Sequence, residues 1–378
     1  MPTCSRRTST ARNHWTNAVL ALALLSGCAG TPKPDESGAL FYPPPPDLPR
    51  LQYLARFSTP SDVEAEGMGF RDFIVGKDTL GDHLVRKPYG VALHDGKIYV
   101  ADTRNNGYAI FDLKQERVDL VQGSAGGAMK KPINITVETD GTKYVTDTDR
   151  NQILVFDAQD KFVRAYGTPD QFKPIDVLVV GDRLYVSDLY NHQIQVLDKA
   201  SGKTLFSFGN AGSGEQELFQ PTSLALGPDQ ALYISDSGNF RIQKYSLDGK
   251  FMRSYGKIGD AVGHFARPKG IAVDREGRIY IVDAAFENIQ TLKNDGTPLM
   301  FFGQPGDKRG NINLPTDIII DYDNLEYFQR YAEPGFKLEY VVLVASQFGI
   351  NKVVAFGFGK MEGMDYAVPQ SGDTQDRK

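Results

Sequence analysis

Two carboxylates, a carboxamide and a hydroxyl recur at one position of a repeated segment. Two residues on from Pro88, Pro132, Pro174, Pro221, Pro268 and Pro315 stand Gly90, Asn134, Asp176, Ser223, Gly270 and Asp317. Hard cations take oxygen ligands of these types. Asn134, Asp176 and Asp317 are therefore a candidate metal set for Ca²⁺, provided the fold brings them together. The competing reading is that they hold ordered water or cap local turns. A second series, Asp102, Asp147, Asp188, Asp236 and Asp283, closes a strand in each of five repeats. Short acidic side chains in that place accept hydrogen bonds from loop amides, so a structural role is expected. No Gly-x-Ser-x-Gly elbow, His-Glu-x-x-His, P-loop or dinucleotide fingerprint appears.

The elements that must position these groups follow from the period. The prolines are spaced 44, 42, 47, 47 and 47 residues apart. A repeat of that size, rich in β-branched and aromatic residues, predicts a radial array of four-stranded sheets. In the second repeat the strands are expected at 134–137, 143–146, 152–156 and 162–166, with Asp140-Gly141 as a tight turn. The sixth repeat supplies strands at 317–320, 340–344 and 352–356 and lacks a fourth. Leu51–Phe57, reading LQYLARF, matches the pattern of Phe162–Tyr166. The expectation is an all-β, six-bladed β-propeller whose last blade is closed by this N-terminal strand, which leaves no sheet edge open. In such a wheel the first strands line a central channel. Asp176 and Asp317, on blades three and six, then face each other across the axis. The loops after strand two present Arg104, Arg150, Tyr190, Phe240, Phe286 and Phe348 as candidate binding residues; aromatic and arginine side chains are common interface anchors. Two segments break the period: a long loop at 58–86, with a helical turn expected near 70–74, and an aromatic insertion at 322–339. The insertion reads equally as a functional loop or as a flap over a seam between blades.

The first 27 residues read as an export signal. Arg6, Arg7 and Arg12 precede the apolar run Ala18–Leu25, which is too short to span a bilayer. The assignment is a signal peptide at 1–27, a proline-rich tether at 28–50, the propeller at 51–357 and a disordered polar tail at 358–378. Removing three arginines moves the net charge from −5 to −8. Without basic blocks, that acidity argues against nucleic acid and against electrostatic membrane binding. Cys4 and Cys28 are the only cysteines, and no Cys-x-x-Cys-His occurs, so neither a disulfide in the mature chain nor a haem of its own is expected.

The Leu25-Ser26-Gly27-Cys28 ending resembles the lipobox of bacterial lipoproteins. That resemblance implies acylation of Cys28 and a membrane anchor. Ala29 in place of Asp resembles the outer-membrane sorting signal. Segments such as Pro268-Lys269-Gly270-Ile271-Ala272-Val273 and Asn239-Phe240-Arg241-Ile242-Gln243 resemble NHL repeats, over residues 87–357. The layout is similar to bacterial NHL-repeat six-bladed propeller lipoproteins of the cell envelope. The resemblance implies a non-catalytic binding scaffold for envelope proteins. One NHL-like branch, an amidating lyase, sets three histidines around an axial zinc. Here His83, His94, His192 and His264 occupy different places in the repeat, which argues against that site. The alternative function is a Ca²⁺- or Zn²⁺-dependent lactonase- or lyase-like hydrolytic enzyme with its site in the central channel.

Overall fold

The computed structural model describes residues 38–63, 84–168 and 170–366. The chain divides into two compact units, residues 1–38 and 39–378, and the strands among the described residues belong to the second. The signal segment, Cys28, the turn expected near 70–74 and His83 lie outside the described residues.

The fold is an all-β, six-bladed propeller. Blade one holds Pro88–His94, Lys97–Asp102, Gly107–Asp112 and Arg117–Val121, paired antiparallel in that order. Blades two to five repeat the plan from Pro132, Pro174, Pro221 and Pro268. In blade two the strands are Pro132–Val137, Lys143–Asp147, Gln152–Phe156 and Phe162–Tyr166. The first strand of each blade touches its counterparts on both sides, and blade six returns to blade one.

Strand alternation explains the closure. Side chains point to opposite faces of a strand at successive positions, so each blade buries one face against each neighbour. The result is six apolar cores, one per joint. Tyr99 and Tyr108 of blade one share a core with Val145 and Leu154 of blade two. Tyr185 of blade three shares one with Leu232 and Ile234 of blade four.

Blade six is completed from the N-terminal side, as the sequence predicts. Its order runs Pro315–Asp321, Phe336–Ser346, Val353–Met361, then Leu51–Phe57. Gln52 pairs with Gly357 and Phe57 with Val353. Leu51 and Tyr53 enter the core between blades five and six, while Leu54 and Phe57 enter the one between six and one.

Two boundaries differ from expectation. The proline-rich segment is not a free spacer through residue 50: Phe41–Tyr42 adds a fifth strand, with Phe41 opposite Gln52 and Tyr42 opposite Leu51. Apolar side chains draw it in, since the Tyr42 ring packs on Phe302 and Phe356 at 6.1 and 6.0 Å. At the other end, the last strand continues to Met361, because Phe358 stacks on Tyr340 at 4.6 Å. The Tyr366 hydroxyl then donates to the Pro49 carbonyl at 2.8 Å.

The aromatic insertion is a packing flap. It forms a short helix, Leu325–Gln329, whose Phe328 is fully buried against Phe57 at 6.1 Å. Gln52 fastens it, donating to the Tyr331 carbonyl and accepting from the Glu333 amide. It follows Asp321, so it lies at the opposite end of the blade from the Phe348 loop. The two do not share a face.

Candidate functional site

Each inner strand begins with a register break. Pro132 pairs with Asp147, and the ladder then shifts before Asn134 pairs with Thr146. The same break follows the proline in all six blades. Bulges of this kind re-aim a side chain. Here they accompany a belt of bonds from each polar ring residue to the next blade. Asn134 Nδ2 donates to Asp176 Oδ1 at 2.6 Å. The Leu224 amide donates to Asp176 Oδ2 at 2.8 Å, and the Ile271 amide to Ser223 Oγ at 3.3 Å. The Val91 amide donates to Asp317 Oδ2 at 2.9 Å. The glycines make room for this belt. A Cβ on Gly90 would stand 2.2 Å from Asn134 Oδ1, and one on Gly270 would stand 2.6 Å from the Asp317 Cα.

The belt surrounds a channel of about 370 Å³ that Asn134, Asp176, Ser223 and Asp317 line together. Both carboxyls are buried. Burial pushes Asp176 up to about 6, opposed by its amide donors. Burial, followed by repulsion from Asp176, pushes Asp317 up to about 8. Both effects favour the neutral form of Asp317. The donor set fits a bare Ca²⁺ poorly, because a calcium site needs ionised carboxylates with free lone pairs. Asp176 spends both oxygens on protein donors, Asn134 Oδ1 accepts from the Ile135 amide, and Asp317 favours the neutral form. Among the described residues no group of three or more His, Cys, Asp or Glu could hold a metal.

The second aspartate series builds the rim. Asp102 accepts from the amides of Arg86 and Lys87 in the incoming loop, and of Arg104 and Asn105 in its own. Asp147 does the same for Lys130, Lys131, Asp149 and Arg150. Asp188 holds Lys173, Tyr190 and Asn191, and Asp283 holds Ala266, Arg267, Ala285 and Phe286. A buried carboxylate therefore clamps the loops that display Arg104, Arg150, Tyr190 and Phe286. Blade six carries Ser346 in this place. There Lys352 spans the joint, donating to the carbonyls of Arg86 and Gln347.

The candidate binding residues all sit in these loops, with unequal exposure. Tyr190 is 71% exposed and Phe348 53%. Arg104 is exposed, whereas Phe240 and Phe286 are half-buried. Arg150 is pinned, donating to the Ala128 carbonyl at 2.6 Å and twice to Gln152 Oε1. Two neighbours were not legible from the motif. Phe219, in the loop leading into blade four, packs at a tilt against His192 at 4.7 Å, and Lys87 lies 5.7 Å from the Phe348 ring. Both stand just before a repeat proline, a position the strand-two pattern does not sample.

Comparison with known proteins supports the wheel. A family model described as DUF5128, 6-bladed beta-propeller, matches residues 168–255. Among solved structures, a protein of unknown function from Bacteroides thetaiotaomicron superposes with a TM-score of 0.57 at 17% identity, over 82% of this chain and 76% of that one. A gluconolactonase from Xanthomonas campestris gives 0.54 at 14%, over 85% and 97%. A streptogramin B lyase gives 0.51 at 17%, over 72% and 94%. At such identities the likeness shows the fold alone. A curated relative, Protein SUPPRESSOR OF QUENCHING 1, chloroplastic, from Arabidopsis thaliana, is 26% identical over 47% of this chain. The chain spans about a fifth of that protein, 21% of its length.

Proposed function

We propose that the protein is a lipid-anchored, non-catalytic scaffold of the cell envelope, held through Cys28 in the outer membrane, that binds a protein partner with the rim around Tyr190 and Phe348. One observation carries this reading: the channel's polar groups are spent on joining blades, while the rim displays two exposed aromatics, Tyr190 on a loop clamped by the buried Asp188 and Phe348 on a loop tied through its amide to the Asn313 carbonyl. Rigid aromatic anchors contribute most of the energy in many interfaces. Half-buried Phe240 and Phe286, and exposed Arg104, would flank them. No cofactor is needed.

The test is in-cell cross-linking from the rim. A single envelope protein captured by the native chain and lost from Tyr190→Ser/Phe348→Ser supports the reading. Equal capture by both chains overturns it. Labelling with a radioactive fatty acid that persists in Cys28→Ser would remove the anchor from the proposal.

A second reading rests on Asp317 and Asp176, two buried carboxyls beside one channel with affinities for protons near neutrality. Groups of this kind serve as general acids. It would make the protein lactonase- or lyase-like, with Asp317 placed to donate a proton to a leaving oxygen in the channel. A screen of lactones and cyclic esters with added divalent ions separates the two. Turnover abolished by Asp317→Asn would favour the enzyme.

A further inference from the structure

The rim between blades five and six holds a larger cavity, about 890 Å³, distinct from the axial channel and from the aromatic loops. One wall is the outer strand of blade five, Pro298–Phe302. The other is the N-terminal arm, from Leu40 to Pro44 and on to Arg50. Tyr280, Phe302 and Phe358 form its floor. Four apolar side chains stay exposed along it: Leu48 at 42%, Leu299 at 43%, Phe301 at 61% and Val262 at 65%. A mostly apolar cleft of this volume with a few polar groups is the usual form of a small-molecule site.

Charge selects the ligand. Two guanidinium groups line the cavity. That of Arg278 is neutralised by Asp274 and Glu276. That of Arg50 rests on the rings of Tyr366 and Phe358, at 4.6 and 5.7 Å, and has neither a carboxylate nor a hydrogen-bond partner among the described residues. The carboxylate of Asp47 stands on the exposed lip, where solvent screens it. An unpaired, ring-supported guanidinium at the end of an apolar groove is built for an anion, and Arg offers a fork that matches carboxylate and phosphate. We infer that this groove binds a single-chain amphiphile, its acyl chain along Leu299 and Phe301 and its anionic head on Arg50. A fatty acid and a lysophospholipid share that chemistry.

The full chain carrying Cys28→Ser, so that no covalent lipid competes, is titrated by calorimetry below the critical micelle concentration. The probes are laurate, decanoate, dodecyltrimethylammonium and lauroyl lysophosphatidylglycerol. Laurate is expected to saturate one site, roughly tenfold tighter than decanoate because two more CH₂ groups are buried. The cationic amphiphile should bind at least tenfold more weakly. Arg50→Gln should cost laurate about tenfold and erase the preference for the anion, with the melting temperature unchanged. Phe301→Ser should weaken all the amphiphiles alike. The tighter of laurate and the lysophospholipid identifies the source. Equal affinity for anion and cation, or laurate binding indifferent to Arg50→Gln, overturns the assignment. So does an absence of saturable binding.

Discussion

At the scale of single residues, the position two after each proline joins blades. Asp176 and Asp317 are bonded to the amides of the following blade, and burial raises the proton affinity of both. A carboxyl whose folded pKa lies above its unfolded value, ordinarily near 3.8, binds more protons folded than unfolded. Its contribution is fully present below the unfolded value and is lost as pH rises toward the folded one. Stability should therefore fall from about pH 4 to about pH 8, with Asp176 contributing in the lower part and Asp317 up to the top. Asp317→Asn mimics the protonated form and keeps an acceptor for the Val91 amide. Thermal melts across pH 3–9 should show its slope flattened between pH 4 and pH 8, with a gain on the order of a few kcal/mol at pH 8.5 and little change at pH 3.5. A variant that tracks the native chain at every pH refutes the assignment of that proton. Gly270→Ala makes the complementary point. Its Cβ would meet the Asp317 backbone at 2.6 Å, which cannot swing aside as a side-chain tip would. A loss of about 1–3 kcal/mol by urea unfolding is expected, as for other overpacked sites.

At the scale of elements, the Leu51–Phe57 strand decides whether the wheel closes. Phe57 is fully buried and meets Phe111 of blade one and Phe328 of the flap edge-on, each at 6.1 Å. Phe57→Ala should cost about 3–5 kcal/mol, measured as a shift of the urea midpoint at constant slope. The strand was legible because LQYLARF repeats the pattern of FVRAY, and a repeat is a local signal that needs no knowledge of distant contacts. Blade boundaries and the loop aspartates were legible for the same reason. The fifth strand, Phe41–Tyr42, was not, because consecutive prolines mark the segment as extended without saying what it lies against. Nor did the sequence settle the insertion between flap and functional loop. Its tyrosines and phenylalanines suit either role, and only the contact of Phe328 with Phe57, 271 positions away in the chain, decides it. The ring residues were placed correctly in the channel by counting from the prolines. Their partners escaped notice, since the amides of Val91, Leu224 and Ile271 carry no side-chain signature.

At the scale of the whole molecule, the six apolar cores lie between blades, so no blade owns the core that stabilises it. Losing one blade exposes two cores at once, and the ring has no terminal repeat from which to fray. An open stack of repeats, by contrast, can unfold from its ends. The rigidity of the rim follows from the same closure, because the loops bearing Tyr190 and Phe348 are anchored to strands that cannot move independently. The native chain should unfold in one transition, with far-ultraviolet and tyrosine near-ultraviolet dichroism superimposing in urea. Leu51→Asp/Leu54→Asp places a charge in each of the two cores that the closing strand enters, and so should expel it. The two probes should then separate, with a lower urea dependence and an early phase from blades one and six. Non-coincident curves in the native chain would show that the blades unfold as independent units, and a still-coincident transition in the double variant would show that closure does not set the cooperativity.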